Sequence, residues 1–151
     1  MLDPEILVLD EPVSALDVSI QAQIINLLKR LQTRLELSYL FIAHDLNVVG
    51  YISDWVAVMY LGQIMEYAPA EKLFDKPLHP YTQALYDSIP RLTDTGKRRL
   101  EVIHGVVPNP LNFPSGCRFH PRCPHCMKIC PQEEPELKNL GDEHWVACHL
   151  H

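Results

Sequence analysis

Near the start of this chain, four consecutive apolar residues run directly into two adjacent carboxylates, in the order Ile6-Leu7-Val8-Leu9-Asp10-Glu11. A parallel strand that is buried on both faces has such an apolar run, and open α/β sheets present ligand-binding groups at the carboxyl ends of their strands. In that position one carboxylate can hold Mg²⁺ while the other orients or deprotonates a water molecule. The feature therefore predicts an α/β fold with a nucleotide-hydrolysing site at the end of the first strand.

A strand–helix–strand unit is predicted by the residues that follow. The helix begins at a cap formed by Asp17 or Ser19 and has an apolar stripe at helical spacing. The stripe consists of Ile20, Ile24, Leu27 or Leu28, Leu31 and Leu35. A second buried strand is predicted at Tyr39–Ala43, and Asp45 then caps a short helix that ends at about Ile52. Two strands joined through a helix in this order imply parallel pairing with a right-handed crossover.

A β-hairpin and two short helices are predicted for the middle of the chain, with less regular structure beyond it. The hairpin comprises Val56–Tyr60 and Ile64–Tyr67, the helices are Glu71–Phe74 and Tyr81–Ser88, a polar linker follows at Thr93–Arg99, and a strand is predicted at Glu101–Val107. From Pro108 onward prolines are dense. A segment with so little regular structure needs a cross-link, such as a bound metal or disulfides, to hold its fold.

The composition limits the classes of partner that this chain is expected to have. Its formal net charge is -6 and its pI is about 5.7, so it lacks the basic footprint of a nucleic-acid-binding protein. The longest apolar run, roughly Trp55 to Leu61, is far shorter than the about 20 residues of a membrane-spanning helix. No secretory signal precedes the first strand. We therefore expect no nucleic-acid partner, and we expect any membrane association to be made through other proteins.

The cysteines are clustered near the C-terminus, at Cys117, Cys123, Cys126, Cys130 and Cys148. An odd, clustered set without a secretory signal favours metal binding over disulfides or free thiols. Zinc would take four thiolates, or fewer with a histidine ligand, whereas a [4Fe–4S] cluster would take four thiolates. The histidines available for zinc are His120, His125 and His149. The spacing alone leaves both metals open.

Three motifs at the N-terminal end together resemble those of ABC-transporter ATPases. Leu9–Pro12 resembles the Walker B motif, Ser14-Ala15-Leu16-Asp17 the D-loop, and Ala43-His44-Asp45 the H-loop. The resemblance implies that Asp10 organises Mg²⁺ beside ATP, usually through water, and that Glu11 is the general base or water-orienting group. It implies that His44 contacts the γ-phosphate. It also places Ser14, Ala15, Leu16 and Asp17 at the interface with a second ATPase domain.

The middle of the chain narrows the resemblance to one group of importers. Glu66–Pro69, Leu73-Phe74 and Leu78–Leu85 resemble the C-terminal region of oligopeptide and dipeptide importer ATPases, and Glu11–Gln23 is most similar to their second, F-type, subunit. This implies a peripheral protein on the cytoplasmic face of the membrane that couples ATP hydrolysis to peptide import. Its partners would be a second ATPase subunit, the membrane permease subunits and, indirectly, a peptide-binding protein. Residues 1–68 would be ATPase domain and residues 69–151 the importer-specific extension.

The cysteine-rich tail also resembles that family. Gly116–Pro124 and the later cysteines match a tail that is associated with an iron–sulfur cluster in peptide-importer ATPases. The resemblance implies that Cys117, Cys123, Cys130 and Cys148 hold a [4Fe–4S] cluster, with Zn²⁺ as the alternative. Cys126 lies where the family pattern needs no cysteine and is an alternate ligand at most. The expected fold is thus a partial P-loop NTPase sheet with crossover helices, followed by a small metal-stapled extension.

The motifs of the other half of such an ATPase are absent from this sequence. The Gly-Lys-Ser or Gly-Lys-Thr sequence that ends a phosphate-binding loop does not occur. No Q-loop or signature motif is found either. We therefore expect this chain to be the C-terminal part of a larger subunit and to hydrolyse no ATP alone. The alternative is a non-enzymatic metal-binding module, regulatory or structural, which retains only the cysteine site.

Overall fold

The computed structural model describes residues 4–89, 103, 105–109 and 111–151, which form a mixed α/β fold. The chain divides into two compact units, Met1–Asp54 and Trp55–His151. The division rests on packing alone. The predicted boundary between an ATPase domain at residues 1–68 and an extension at residues 69–151 stays a prediction.

The first unit is the predicted strand–helix–strand arrangement. Strands β1 (Ile6–Asp10) and β2 (Ser38–Ile42) pair in parallel over their whole length, and they alternate with helices α1 (Val18–Leu35) and α2 (Leu46–Ile52). Both helices begin at the predicted caps, because the carboxylates of Asp17 and Asp45 accept hydrogen bonds from the first free backbone N–H groups of the helices. The core of the unit consists of Val13, Ile25, Leu28, Val48 and Ile52.

The prediction that β1 and β2 are buried on both faces is wrong for the described residues. Leu9, Tyr39 and Phe41 pack against the core, whereas the alternate side chains are exposed: Ile6 by 66%, Val8 by 60%, Leu40 by 55% and Ile42 by 46%. Successive side chains of a strand point to opposite faces, and the helices of this unit cover only one of them. The buried face of α1 differs from the predicted stripe: Ile25, which the stripe omitted, and Leu28 are buried, whereas Ile20 and Leu35 are exposed.

The second unit is built on the predicted hairpin. Strands β3 (Trp55–Tyr60) and β4 (Gln63–Pro69) pair in antiparallel fashion and are followed by helices α3 (Ala70–Asp75) and α4 (Pro80–Asp87). The C-terminal tail adds two short strands, β5 (Lys138–Asn139) and β6 (Trp145–Val146), so that the sheet has the order β3-β4-β6-β5. The sequence patterns did not predict this extension of the sheet.

Aromatic residues and cysteines share the core of this second unit. Phe119 is fully buried just before a 3₁₀ turn at His120–Arg122, and its ring meets that of Tyr60 edge-on with 5.5 Å between centroids. Met65, Cys117 and Cys130 complete the cluster. The cysteine-rich segment therefore packs against the hairpin as part of one core.

Two predictions concern the segment between α4 and this core. The linker at Thr93–Arg99 lies outside the described residues, as does part of the strand predicted at Glu101–Val107. Ile103 and residues 105–107 are described and have no regular secondary structure, so the strand prediction is wrong at those positions. Glycine and proline at Gly105 and Pro108 end any extended pairing there.

Gly116 has the least room for a Cβ among the described glycines, and we predict that Gly116→Ala destabilises the second unit. Its φ is +65°, and an added Cβ would collide with the Cys130 carbonyl oxygen and lie 2.8 Å from the Pro131 carbonyl carbon. Left-handed strain costs an alanine roughly 1–2 kcal/mol, and the collision adds about 1–3 kcal/mol more.

Gly141→Ala is the matched control for this substitution. Gly141 is also left-handed, with φ +104°, but an added Cβ there meets nothing within 4 Å. Urea unfolding of both variants separates the collision from the strain. A loss of less than about 2 kcal/mol in Gly116→Ala, no more than left-handed strain alone costs, would contradict the predicted close contact at Gly116.

Candidate functional site

Parallel pairing brings the ends of β1 and β2 together and places Glu11 beside His44. The backbone N–H of Glu11 donates to the Ile42 carbonyl at 2.9 Å, and His44 Nδ1 lies 3.2 Å from Glu11 Oε1. Because a carboxylate only accepts hydrogen bonds, this contact assigns the proton to Nδ1 and leaves Nε2 of a neutral ring as an acceptor. The two side chains are 72% and 51% exposed for His44 and Glu11, respectively, so both are accessible to a ligand.

Glu11 has a strained backbone that its neighbours hold in place. Its φ is +45°, in the left-handed region that few residues other than glycine adopt. The Glu11 carbonyl accepts hydrogen bonds from both the backbone N–H and the hydroxyl of Ser14, at 3.3 and 3.1 Å. Such strain is often found at functional sites, where the backbone directs a side chain away from the regular strand.

A small open depression surrounds the Glu11–His44 pair. It is lined by Glu11, Val13, Ser14, Gln21, Ala43, His44 and Asp45. Gln21 was not predicted from the sequence, although a polar residue on the first turn of a helix that begins at Asp17 is a signal that could have located it. Its side-chain amide donates to the Val13 carbonyl at 3.0 Å and so ties the turn to α1.

The remaining predicted nucleotide-site residues lie in or beside this turn. Asp10 is the last residue of β1 and is exposed, but it does not line the depression. Ser14, Ala15, Leu16 and Asp17 form the exposed turn that leads into α1. The positions suit the predicted Mg²⁺ and interface roles, which stay predictions.

The four predicted cysteine ligands lie close enough to influence one another. The pKa of the Cys123 thiol is raised to about 11, chiefly by burial and to a smaller extent by the charges that Cys148, Cys117 and Cys130 would carry. Burial likewise raises the pKa of Cys117 and of Cys148, each with a contribution from Cys130. The Cys117, Cys123 and Cys148 thiols are therefore protonated at neutral pH, and a metal would have to displace their protons.

Cys126 differs from these four residues because it is exposed. Among the four, only Cys130 acts on its thiol, while its backbone N–H donates to the Cys123 carbonyl at 3.3 Å. Within the described ranges, no group of three or more His, Cys, Asp or Glu side chains is arranged to hold a metal ion. The predicted [4Fe–4S] or Zn²⁺ site thus lacks support as a formed metal site.

A buried polar cluster, which the sequence did not predict, lies between β4, α4 and the C-terminal tail. The Glu66 carboxylate is fully buried and accepts hydrogen bonds from the backbone N–H groups of Leu78 and His79 at 2.8 and 3.0 Å. It also accepts from His144 Nε2 at 2.6 Å. His79 is the N-cap of α4, because its Nδ1 accepts from the Tyr81 N–H at 3.0 Å.

The His79 ring is held in its neutral form by this environment. Burial lowers the pKa of His79 from 6.5 to about 4, although Glu66 and the Ala147 carbonyl act in the opposite direction. His151, near the ring, lowers it further. His79 Nε2 points toward no partner with hydrogen-bond geometry in the described part of the chain. Protonating the ring would also remove the lone pair that caps α4.

The class of protein follows from the fold and this pair of strand ends. A mixed α/β fold with parallel strands that end in Glu11 and His44 is consistent with the C-terminal part of an ABC ATPase domain. None of the described helices has both the length and the apolar character needed to cross a bilayer.

Comparison with known proteins identifies the region more closely. Residues 65–130 match the family described as the oligopeptide/dipeptide transporter, C-terminal region. The chain is 55% identical over 152 residues to the oligopeptide transport ATP-binding protein AppF of Bacillus subtilis, an alignment that covers 99% of this chain and 46% of AppF. It is 57% identical over 150 residues to a putative peptide import ATP-binding protein of Brucella abortus, which covers 99% of this chain and 44% of that protein. The chain therefore spans somewhat less than half the length of these curated relatives.

The neutral state of His79 makes the unfolding free energy depend on pH. An unfolded histidine takes up its proton near pH 6.5, whereas the folded chain resists protonation until about pH 4. The stabilisation is therefore present above pH 6.5 and is lost as the pH falls toward 4, with a slope that approaches about 1.4 kcal/mol per pH unit.

Urea unfolding of the wild type and of His79→Asn, from about pH 7.5 to about pH 4.5, tests this dependence. The asparagine side-chain oxygen can cap α4 but has no proton to gain in this range. We expect the variant to lose less unfolding free energy than the wild type on acidification. Parallel pH profiles for the two chains would contradict the assignment of a neutral buried His79.

Proposed function

We propose that this chain is the C-terminal portion of an ATP-binding subunit of an ABC importer that couples ATP hydrolysis to the uptake of di- or oligopeptides. The observation that carries the proposal is the 3.2 Å contact between His44 and Glu11 at the ends of two parallel strands. The match of residues 65–130 to the oligopeptide/dipeptide transporter C-terminal region supports the class of cargo.

The proposed chemistry assigns a separate task to each residue of the strand ends. Mg²⁺ would supply charge neutralisation on the phosphates when it is bound. The exposed Asp10 carboxylate, a hard oxygen ligand, would hold it directly or through water. Glu11 accepts a proton from the attacking water or orients it. His44 donates from Nδ1 to Glu11 and keeps Nε2 for the γ-phosphate side of the site, where protonation would make it a donor.

The assembly follows from the same proposal. The exposed Ser14–Asp17 turn would face a second ATPase subunit, and the complete subunit would lie on the cytoplasmic face of the membrane, bound to permease subunits that receive peptide from a binding protein. The relatives are more than twice as long as this chain, so the phosphate-binding loop, the Q-loop and the signature motif would come from the additional length. We propose that residues 1–68 belong to the ATPase domain, that residues 69–151 form the extension, and that this chain alone has no hydrolytic activity.

We predict that Glu11→Gln, in a subunit of the full relative length that carries this segment, lowers kcat for ATP hydrolysis by about a hundredfold or more. The amide retains the size of the side chain but cannot accept a proton from water. ATP binding should remain within about twofold of wild type, because the substitution leaves the phosphate contacts of other residues unchanged.

Glu5→Gln is the matched control, since Glu5 is exposed just before β1. Steady-state phosphate release and equilibrium binding of ATP should be measured for both variants. Wild-type turnover in Glu11→Gln would remove Glu11 from the mechanism. Wild-type turnover by the 151-residue chain alone would instead contradict the proposal that hydrolysis requires the phosphate-binding loop, the Q-loop and the signature motif.

A second candidate function is metal binding by the cysteines. It is favoured by the electrostatic interactions among the thiols of Cys117, Cys123, Cys130 and Cys148, which show that they lie near one another. We propose that these four thiols hold a [4Fe–4S] cluster. The cluster is preferred to zinc because the tail resembles that of peptide-importer ATPases, which is associated with an iron–sulfur cluster. A structural role suits this site, because Cys117 and Cys130 belong to the core of the second unit and Cys123 packs against it.

We predict that serine substitution of any one of Cys117, Cys123, Cys130 and Cys148 abolishes stable metal binding, whereas Cys126→Ser retains it. Cys126 is the matched control because it belongs to the same segment but is exposed. The measurement is iron, acid-labile sulfide and zinc content, with a visible spectrum, after anaerobic purification. Full metal content in all five variants would contradict the ligand assignment, and zinc without sulfide would replace the cluster with a zinc site.

A further inference from the structure

Glu66 is the one acidic residue that is fully buried in the described part of the chain. A buried carboxylate is costly unless hydrogen bonds replace its lost hydration. Its three donors come from two separate places: the Leu78 and His79 backbone before α4, and the His144 ring in the C-terminal tail. The carboxylate thus joins three segments that are distant in sequence.

Three of the four clustered thiols are held by local contacts. The Cys117 N–H donates to the Cys130 carbonyl at 2.8 Å, and the Cys130 N–H donates to the Met127 carbonyl at 3.0 Å. The 3₁₀ turn at 120–122 ends at Cys123. We call this segment, residues 116–132, the cysteine loop. The hydrogen bonds that join Cys117 to Cys130 lie within this one stretch of chain, which also packs against Tyr60 and Met65 of the hairpin.

Cys148 lies outside the cysteine loop and follows β6 after one residue. β6 pairs with β4 through only two residues, with Val146 opposite Glu66 and Trp145 opposite Tyr67. One further hydrogen bond joins the Ala147 N–H to the Met65 carbonyl at 2.9 Å. Val146 is also buried, and the Trp145 ring packs against those of Tyr67 and Trp55 at 5.4 and 6.1 Å between centroids. The side-chain contact between His144 and Glu66 adds a buried polar tie at the start of this short strand.

The turn that precedes His144 is strained in a way that makes this contact possible. Gly141, Asp142 and Glu143 have φ values of +104°, +52° and +60°. Two of these three residues carry a Cβ, which makes a left-handed backbone unfavourable for them. The turn is closed by a 2.8 Å bond from the Leu140 N–H to the His144 carbonyl and is held to α3 by Lys72, whose ammonium donates to the Asp142 carbonyl at 2.6 Å. Strain that persists between such restraints directs His144 into the core.

We propose that Glu66 is a positioning residue for Cys148: through His144 it fixes β6 on the hairpin and thereby places the fourth thiol beside the cysteine loop. The same carboxylate binds the backbone at the start of α4, so the His79–Pro80–Tyr81 turn and the C-terminal tail share one anchor. This role adds a positioning residue to the proposed cysteine site. It rests on that proposal only in taking Cys148 to be a metal ligand. Where Cys148 lies can be measured with no metal present.

Hydrogen exchange of the whole chain, reduced and free of metal, tests the role directly. In Glu66→Gln we expect amides of residues 144–149 to exchange at least about tenfold faster, since a lost buried partner is a large local destabilisation. The cysteine loop should exchange at its wild-type rate. Glu136→Gln is the matched control, because Glu136 is exposed in the same tail.

Two substitutions of His144 carry the test even where Glu66→Gln fails to fold. His144→Leu removes the donor and should release residues 144–149 to a similar extent. His144→Gln retains an amide donor that can reach the carboxylate, and it should restore wild-type exchange. Failure of this rescue, equal release of the cysteine loop, or unchanged exchange in both His144→Leu and Glu66→Gln would each overturn the proposal.

Alkylation of Cys148 separates position from charge. Glu66→Gln removes a negative charge that raises the pKa of Cys148, so charge alone would speed alkylation in that variant and leave it no faster in His144→Leu, which retains Glu66. A displaced strand speeds alkylation in both variants by several-fold. The first pattern overturns the positioning role. Metal content is scored separately: no metal in the wild type, with Cys148 released as expected, would reject the cysteine-site proposal and leave the role of Glu66 intact.

Discussion

Parallel pairing of β1 with β2 is the constraint on which the candidate nucleotide site depends. Because both strands run in the same direction, Glu11 and His44, 33 positions apart, leave them at one edge and come within 3.2 Å. Five residues of extended chain span about 16 Å, so antiparallel pairing of the same strands would separate the two side chains by about that distance. The bond from the Glu11 N–H to the Ile42 carbonyl continues the pairing into the turn and fixes the left-handed backbone there.

The second unit depends on a different interaction, the complete hydrogen bonding of one buried carboxylate. Glu66 lies in β4, which pairs with β3 on one side and β6 on the other. An apolar residue there would pack well enough, but it could not bind two backbone N–H groups and an imidazole at once. The polar cluster therefore specifies which segments meet, whereas the aromatic core around Phe119 supplies apolar burial.

Local signals in the sequence predicted the helices and the hairpin. They succeeded where a single residue determines how a helix begins or how the chain turns. Asp17 and Asp45 cap the helices as expected, and the Leu61-Gly62 turn joins the hairpin. The exposed faces of β1 and β2 were missed because a continuous apolar run indicates burial on both faces. The run itself does not show whether the chain contains elements that cover both faces. β6 was missed because two residues carry no periodicity. The role of Glu66 depends on partners from distant segments, and no pattern around position 66 indicates them.

The exposure of the Glu11–His44 pair bears on how the proposed site would reach catalytic strength. An ion pair or hydrogen bond in contact with water contributes only about 0–1 kcal/mol, and His44 and Glu11 are 72% and 51% exposed. Stabilisation of a transition state by fixed charges requires a site from which water is excluded. The residues of this chain thus set the geometry of the pair, while the low dielectric has to come from the surfaces that cover it. On this argument, closure of a partner over the Ser14–Asp17 turn would raise the rate without moving Glu11 or His44.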